Sequence, residues 1–512
     1  MASRAGICED LLYEIFLHLS PEWMPHPCDA YESYQRRELR CALAACATAN
    51  RIMSECALPF LWRVLDNMTP VMKILAHNSN HEGSDVISES AWCRFQRYAC
   101  LVRELKHREH DEDYRTSATS RLLWLALAEK LKGEPLFPSL QRLEVALRLL
   151  DPCYLVIFSQ SIRTLDFDAV NLGSSDPGDD VAALTSALLV SLCSAAPSPG
   201  DIPAIPPPRH LQPIGSLRGL RKLDVPTSYG RVPMDYPAMK VFSALANLRE
   251  LSVEVHFKDM GSQAPCRGGF AALEIFSVGS AYLPDIEESL QMMESSRLRN
   301  LKVAIHRSVD AQQLTAFLDS LRRTAVGISS LSLKVYCSVR TQTPIARVEL
   351  LEPVLSLRHM QELTCSLRTY CDTEVSDHDI AAFASAWPDL RVLSFIERGF
   401  AENGVTVFAL LDITRRCPRM ESMSFGQLDC RHFPETHSIP YMEQSRVQHL
   451  EFKYLLGYMS PADFWILASL IDRIFPHLVI APDAQGTSRL PPEVLEPLTT
   501  IRASRHGGSE MD

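Results

Sequence analysis

The sequence predicts an α/β chain: a helical N-terminal segment and a helical linker, followed by a solenoid of strand–helix repeats. Three observations carry this prediction. A six-residue motif, Φ-x-x-Φ-x-Φ with Φ apolar, returns at near-regular intervals from Leu140 onward. The residues up to Arg63 space their apolar side chains for short helices. The 512 residues are 46% hydrophobic and 22% charged, the balance of a folded chain rather than a disordered one.

The first element is read from Ile7 to Leu19. Leu11, Leu12, Ile15, Phe16 and Leu19 fall at i, i+1, i+4, i+5 and i+8, one stripe of a short helix. A second helical run covers Leu39 to Met53, with Leu43, Ala47 and Ile52 apolar, and the stretch closes on Ala57-Leu58-Pro59-Phe60-Leu61-Trp62-Arg63. Three short helices bury too little surface to make a good independent core. Stripes this dense therefore predict an interface. The order also resembles the F-box: a first helix reading L-P-x-E-I-L-x-x-I-F-x-x-L, a small-residue helix, and a terminal Leu-Trp-Arg. Cys8 stands where that family usually has proline, and a long spacer from Pro21 to Leu39 separates the first two helices. The same stripe equally suits a helical cap on a larger domain.

Residues 66–135 read as a helical linker. Met68 to Leu75 is helical in pattern, as is Trp92 to Leu105, with Trp92, Phe95, Ala99 and Val102 at 3–4 spacing. The charged run 106–113 is expected to be a solvated loop; His107 and His110 lie in it with no nearby Cys or further His to complete a metal site. Arg121 to Lys132 follows as a helix, with Leu122, Leu125 and Leu127 apolar.

The solenoid is expected over 136–482. The motif starts at Leu140, Ile162, Leu220, Leu248, Leu273, Leu298, Ile328, Met360, Leu390, Met420, Val447 and Phe475. Successive intervals are 22, 58, 28, 25, 25, 30, 32, 30, 30, 27 and 28, so the 58 reads as two periods with one degenerate copy between. A fixed period of this size marks stacked repeats. One strand with one helix cannot bury its apolar side alone, and stacked copies can. Between motifs, Asp310 to Thr324, Ser376 to Trp387 and Ser460 to Phe475 read as helices, the last opening on Ser460-Pro461. The array resembles the leucine-rich repeat in its longer, helix-containing form. It departs from that family where Asn or Cys usually follows the motif: Arg148, Val170, Ser228 and His256 occupy those positions, so the buried Asn ladder is missing. An acidic, proline-rich insertion near 171–215 interrupts the array, and 483–512 is expected to be a flexible tail.

The chemistry classes can be narrowed in the same way. There is no phosphate-binding glycine loop, no H-E-x-x-H and no nucleophile elbow. An enzyme is not expected, and no catalytic, cofactor-binding or metal residue is assigned. The net charge of −11 disfavours nucleic acid as a partner. Acids at Glu9 and Asp10 break any signal-peptide core, no apolar stretch is long enough to span a membrane, and the scattered cysteines read as reduced thiols. The expected compartment is cytoplasmic or nuclear.

Taken together, the two resemblances imply an F-box protein with leucine-rich repeats, of the large fungal type. That implies a substrate-recognition subunit of an SCF-type (Skp–cullin–F-box) ubiquitin ligase. Leu11, Leu12, Ile15, Phe16, Leu19, Leu43, Leu61 and Trp62 would then dock on a Skp-type adaptor, and through it a cullin. The repeats would hold an unknown target protein. On the concave side of the strands Glu144, Asp166, Asp168, Asp224, Glu250 and Glu254 outnumber Arg142 and Lys222, which predicts an acidic surface for a basic segment. The alternative is a repeat scaffold with an N-terminal helical cap and no ubiquitin-ligase role.

Overall fold

The computed structural model describes residues 9–19, 30–76, 87–107, 118–132, 134–146, 156–168, 219–225, 234, 236–257, 268–337, 347–369, 375–395, 404–480 and 490–507. The chain divides into two units, Met1–Glu254 and Val255–Asp512. The first begins with α1 (Glu9–His18), α2 (Ala30–Ala49) and α3 (Arg51–Arg63). It continues with β1 (Val64–Leu65), α4 (Thr69–Ala76), α5 (Glu89–Ala99), β2 (Glu104–His107), α6 (Ala118–Leu131), β3 (Arg142–Ala146), β4 (Thr164–Asp168), β5 (Lys222–Asp224), α7 (Tyr236–Ser243) and β6 (Glu250–Glu254). Its strands lie in chain order, each parallel to the next.

The second unit repeats the plan with longer strands. It runs β7 (Ile275–Ser280), α8 (Leu283–Gln291), β8 (Asn300–Val309), α9 (Ala311–Thr324), β9 (Ser330–Cys337), α10 (Arg347–Leu355), β10 (Glu362–Thr369), α11 (Asp377–Ala386) and β11 (Val392–Phe395). Then come β12 (Val405–Thr406), α12 (Val407–Arg416), β13 (Ser422–Asp429), β14 (His449–Leu456), α13 (Pro461–Ile474) and α14 (Pro492–Gly507). Strands β7 to β11 are again neighbours in chain order, β13 follows β11, and both β14 and the short β12 pair with β13; all pairs are parallel.

The motif explains the register. Its second apolar residue forms a buried column in each unit: Leu143, Leu165, Leu223 and Leu251 in the first, and Leu301, Leu331, Leu363, Leu393, Met423 and Leu450 in the second. Alternate residues point the other way, as the pleat requires. Each motif also stitches to the previous one. The amides of Arg221 and Lys222 both donate to the Arg163 carbonyl, at 2.8 and 3.0 Å, and those of Arg391 and Val392 to the Gln361 carbonyl, at 2.7 and 3.1 Å. The helices close the apolar side: α9 buries Leu314, Phe317, Leu318 and Leu321, and α11 buries Ile380 and Phe383. Capping boxes start them, Asp310 with Gln313, Ser376 with Asp379 and Ser460 with Asp463, each satisfying amides that a helix start leaves open.

Several expectations are corrected. The linker is not wholly helical: β1 and β2 belong to the first sheet, so the array starts before Leu140. The frame was hidden because Val102-Arg-Glu-Leu105-Lys-His107 ends on histidine rather than an apolar residue. Lys106 is buried and His107 lies in β2, not in a loop, while 108–113 falls outside the described residues. No strand of a further copy stands between β4 and β5 in the sheet, since the two pair directly; the residues between them, 169–218, are outside the described ones. The 171–215 insertion lies outside the described residues. The Phe475 copy forms no strand, although the Val479 amide still donates to the Gln448 carbonyl at 2.9 Å. In the stretch expected to be a flexible tail, α14 is an ordered helix, with Leu490, Val494 and Leu498 buried. The missing Asn ladder does not break the register; one bulge, between Ile305 and Ser308, is the irregularity among the described strand pairs.

Candidate functional site

The N-terminal helices divide the predicted stripe into two groups. Leu12 and Phe16 of α1 close on Leu43 of α2 and on Ala57 and Phe60 of α3 in one buried cluster, with Leu17, Leu19 and Leu61 half-buried against it. Asn50 separates α2 from α3: its side chain accepts from the Met53 amide at 2.9 Å, a cap that lets the chain turn and restart. To one side of that buried stripe Leu11 (58% exposed) and Ile15 (46%), one turn apart, are uncovered, and on its other flank Tyr13 is 51% exposed. Bulky apolar side chains within one helical turn and a half, facing water, mark an interaction surface more readily than scattered ones. Tyr13 was missed in the sequence because its phenol breaks the apolar count; its ring also touches Phe60, with centroids 5.0 Å apart.

Trp62 makes an internal contact. Its ring stacks on Tyr98 of α5 at 4.6 Å, with 7° between the planes. It is half-buried and ties α3 to the segment that leads into β2. Arg40 of α2 adds a second tie, pairing with Asp66 and donating to the Val64 carbonyl at 2.9 Å. So α3 runs straight into β1 without a free linker.

The first sheet carries the predicted acids, and two of the six, Asp166 and Glu250, are ion-paired. Asp166 Oδ2 accepts from Arg142 Nε and Nη2 at 3.2 and 3.0 Å. Glu250 pairs with Lys222 at 3.4 Å, and Glu104 with Lys106 at 3.5 Å. Glu144 and Glu254 are buried, and Asp224 is half-buried. Asp168 lies in β4, but its side chain is outside the described residues. Burial pushes the Asp166 carboxyl above its ordinary value; Arg142 and Lys222 oppose that rise without cancelling it, and Asp224 adds to it. These ion pairs form a mixed-charge ladder across β2 to β6. Its bases were visible in the sequence, but only the cross-strand register brings Arg142 to Asp166.

Among the described residues no group of three or more His, Cys, Asp or Glu side chains is arranged to hold a metal. A Ser–Asp–His cluster does exist in the second unit. Asp285, buried on α8, accepts from Ser280 Oγ at 3.1 Å and faces His256 Nδ1 at 3.4 Å. Both partners meet the same carboxylate, so no histidine stands beside the serine to activate it. His256 stacks on Tyr282 at 5.1 Å, and the Arg307 guanidinium carbon lies 4.4 Å from the centroid of the same Tyr282 ring.

Compared with known proteins, the chain matches no protein-family model, and no curated protein matches it in sequence. No helix among the described residues is long and apolar enough to cross a membrane.

Proposed function

We propose that the chain is the substrate-recognition subunit of an SCF-type ubiquitin ligase, whose N-terminal helices dock on a Skp-type adaptor and whose repeats hold the target. One observation carries this reading: Leu11 and Ile15, one turn apart, stand uncovered on α1 beside the face that Leu12 and Phe16 close. The two groups have different roles. Leu12, Phe16 and Leu43 hold the three helices together; Leu11 and Ile15 meet the adaptor. The chain would do no bond chemistry. It would raise the local concentration of target lysines near a ubiquitin-loaded enzyme carried by the cullin. The test is co-elution of the full chain with purified Skp-type adaptor on gel filtration. Wild type is expected to co-elute and the Leu11→Asp/Ile15→Asp variant to elute alone with unchanged circular dichroism. Separate elution of wild type and adaptor removes the ubiquitin-ligase reading.

A second reading, a repeat scaffold capped by its own N-terminal helices, is favoured by the direct passage of α3 into β1 and by the Arg40–Asp66 and Trp62–Tyr98 contacts. It leaves the exposed face of α1 unused, which is why it stands second.

A further inference from the structure

The residue after the first apolar position of each motif is the last before the strand, and in the first unit it is exposed in every copy from β2 to β6: Arg103, Gln141, Arg163, Arg221 and Arg249. The two-amide stitch fixes the backbone of each against the previous one, so the five stand side by side along the rim where the strands begin. Adjacent strands lie about 4.8 Å apart, so the row from Arg103 to Arg249 spans about 19 Å. Like charges on neighbouring strands destabilise a sheet unless an anion lies between them.

For Arg163 and Arg221 the carboxylates described in the sheet do not supply that anion. Asp166 is taken by Arg142, Glu250 by Lys222, and Glu104 by Lys106 and Arg142. Arg163 and Arg221 make no side-chain hydrogen bond or ion pair among the described residues. Arg103 gives one N–H to the Ser139 carbonyl at 3.2 Å, which holds its guanidinium at the rim. The second unit shows what a neutralised row looks like. There the same position reads Glu274, Arg299, Ser329, Gln361, Arg391, Glu421 and Gln448, and Arg391 is held bidentately by Glu421 at 3.0 and 2.9 Å.

We propose that the arginine row of the first unit is a docking strip for an extended acidic segment of a partner protein. A guanidinium fork takes a carboxylate bidentately in charge-assisted hydrogen bonds. An extended chain rises about 3.3 Å per residue, so about six residues cover the strip. The net charge of −11 on the whole chain disfavours a dense polyanion such as nucleic acid more than a short peptide with a few carboxylates. The strip lies on the sheet, and its binding does not depend on the N-terminal helices taking an adaptor.

The experiment is fluorescence anisotropy of the full chain with a short labelled peptide alternating glutamate and serine. The same peptide with lysine for glutamate, and an oligothymidylate of similar length, serve as comparison probes. Wild type is expected to bind the acidic peptide, more weakly as salt rises. Arg163→Glu/Arg221→Glu should weaken it at least about tenfold, and Arg358→Glu, which makes a smaller charge change away from the row, much less. If circular dichroism shows the double reversal misfolded, Arg163→Gln/Arg221→Gln replaces it. The proposal is overturned by a wild type that does not bind the acidic peptide. It is equally overturned by a double variant that loses no more than Arg358→Glu, or by tighter binding of the oligothymidylate or the lysine peptide.

Discussion

Asp166 and α1 show how single residues divide structural from functional roles. The Asp166 carboxyl is raised by burial more than Arg142 and Lys222 lower it, so its charged form is disfavoured in the fold. Its stability penalty is absent below the ordinary carboxylate pKa and grows as pH rises through that value, until the folded carboxyl ionises. Asp166→Asn removes the titration. Urea unfolding should therefore show the variant gaining on wild type between about pH 4 and pH 7; a difference that stays constant with pH counts against the assignment. On α1 the division runs between neighbours. Phe16→Ala should cost about 3–5 kcal/mol of unfolding free energy, because Phe16 is 1% exposed within the Leu43–Phe60 cluster. Ile15→Ala, one residue away and exposed, should change stability by less than about 0.5 kcal/mol. Equal losses at the two positions would mean that α1 is buried on both sides.

Among the elements, α14 is the least expected from the sequence, and buried ion pairs hold it to α13. Asp472 on α13 is 1% exposed and meets two guanidinium groups from α14, Arg502 Nε at 3.0 Å and Arg505. Arg502 also donates to the Phe475 carbonyl at 2.9 Å, satisfying the end of α13. Removing both partners leaves a buried carboxylate uncompensated, so Arg502→Ala/Arg505→Ala should cost about 3–5 kcal/mol, read by denaturant unfolding. A loss below 1 kcal/mol would show α14 to be loosely attached. The sequence hid this element because Asp472 lies about thirty residues from its partners, and an Arg-x-x-Arg pair reads as solvated surface. The strands were easier to read. Their apolar positions follow local spacing, and eleven of the twelve motif copies carry a strand. β2 was missed where histidine replaced the last apolar residue, and the Phe475 copy was over-read because spacing alone does not provide a partner strand.

At the scale of the whole chain, the α/β class, the repeat and the N-terminal helical segment were legible, since each depends on periodic burial. The candidate surfaces were only half legible. Which apolar residues of α1 turn inward, and which acids are neutralised, are set by contacts between elements far apart in sequence. Burial also divides the thiols. Cys417 and Cys430 are buried, and desolvation pushes both up to about 12, whereas Cys41, Cys93 and Cys100 are exposed. Alkylation of the native chain near pH 8 followed by peptide mapping should label the exposed three and spare Cys417 and Cys430 until urea is added. Labelling of the buried pair in the native chain would show that the last repeats of the second unit open locally.

The central claim is that the exposed face of α1 is an adaptor-docking surface. Isothermal titration of the full chain with purified Skp-type adaptor, repeated at several temperatures, tests it most directly. The account predicts binding with a negative heat-capacity change, as apolar burial requires, and loss of that binding in Leu11→Asp/Ile15→Asp. Absence of heat with a folded wild-type chain, or binding that survives the double substitution, would contradict it.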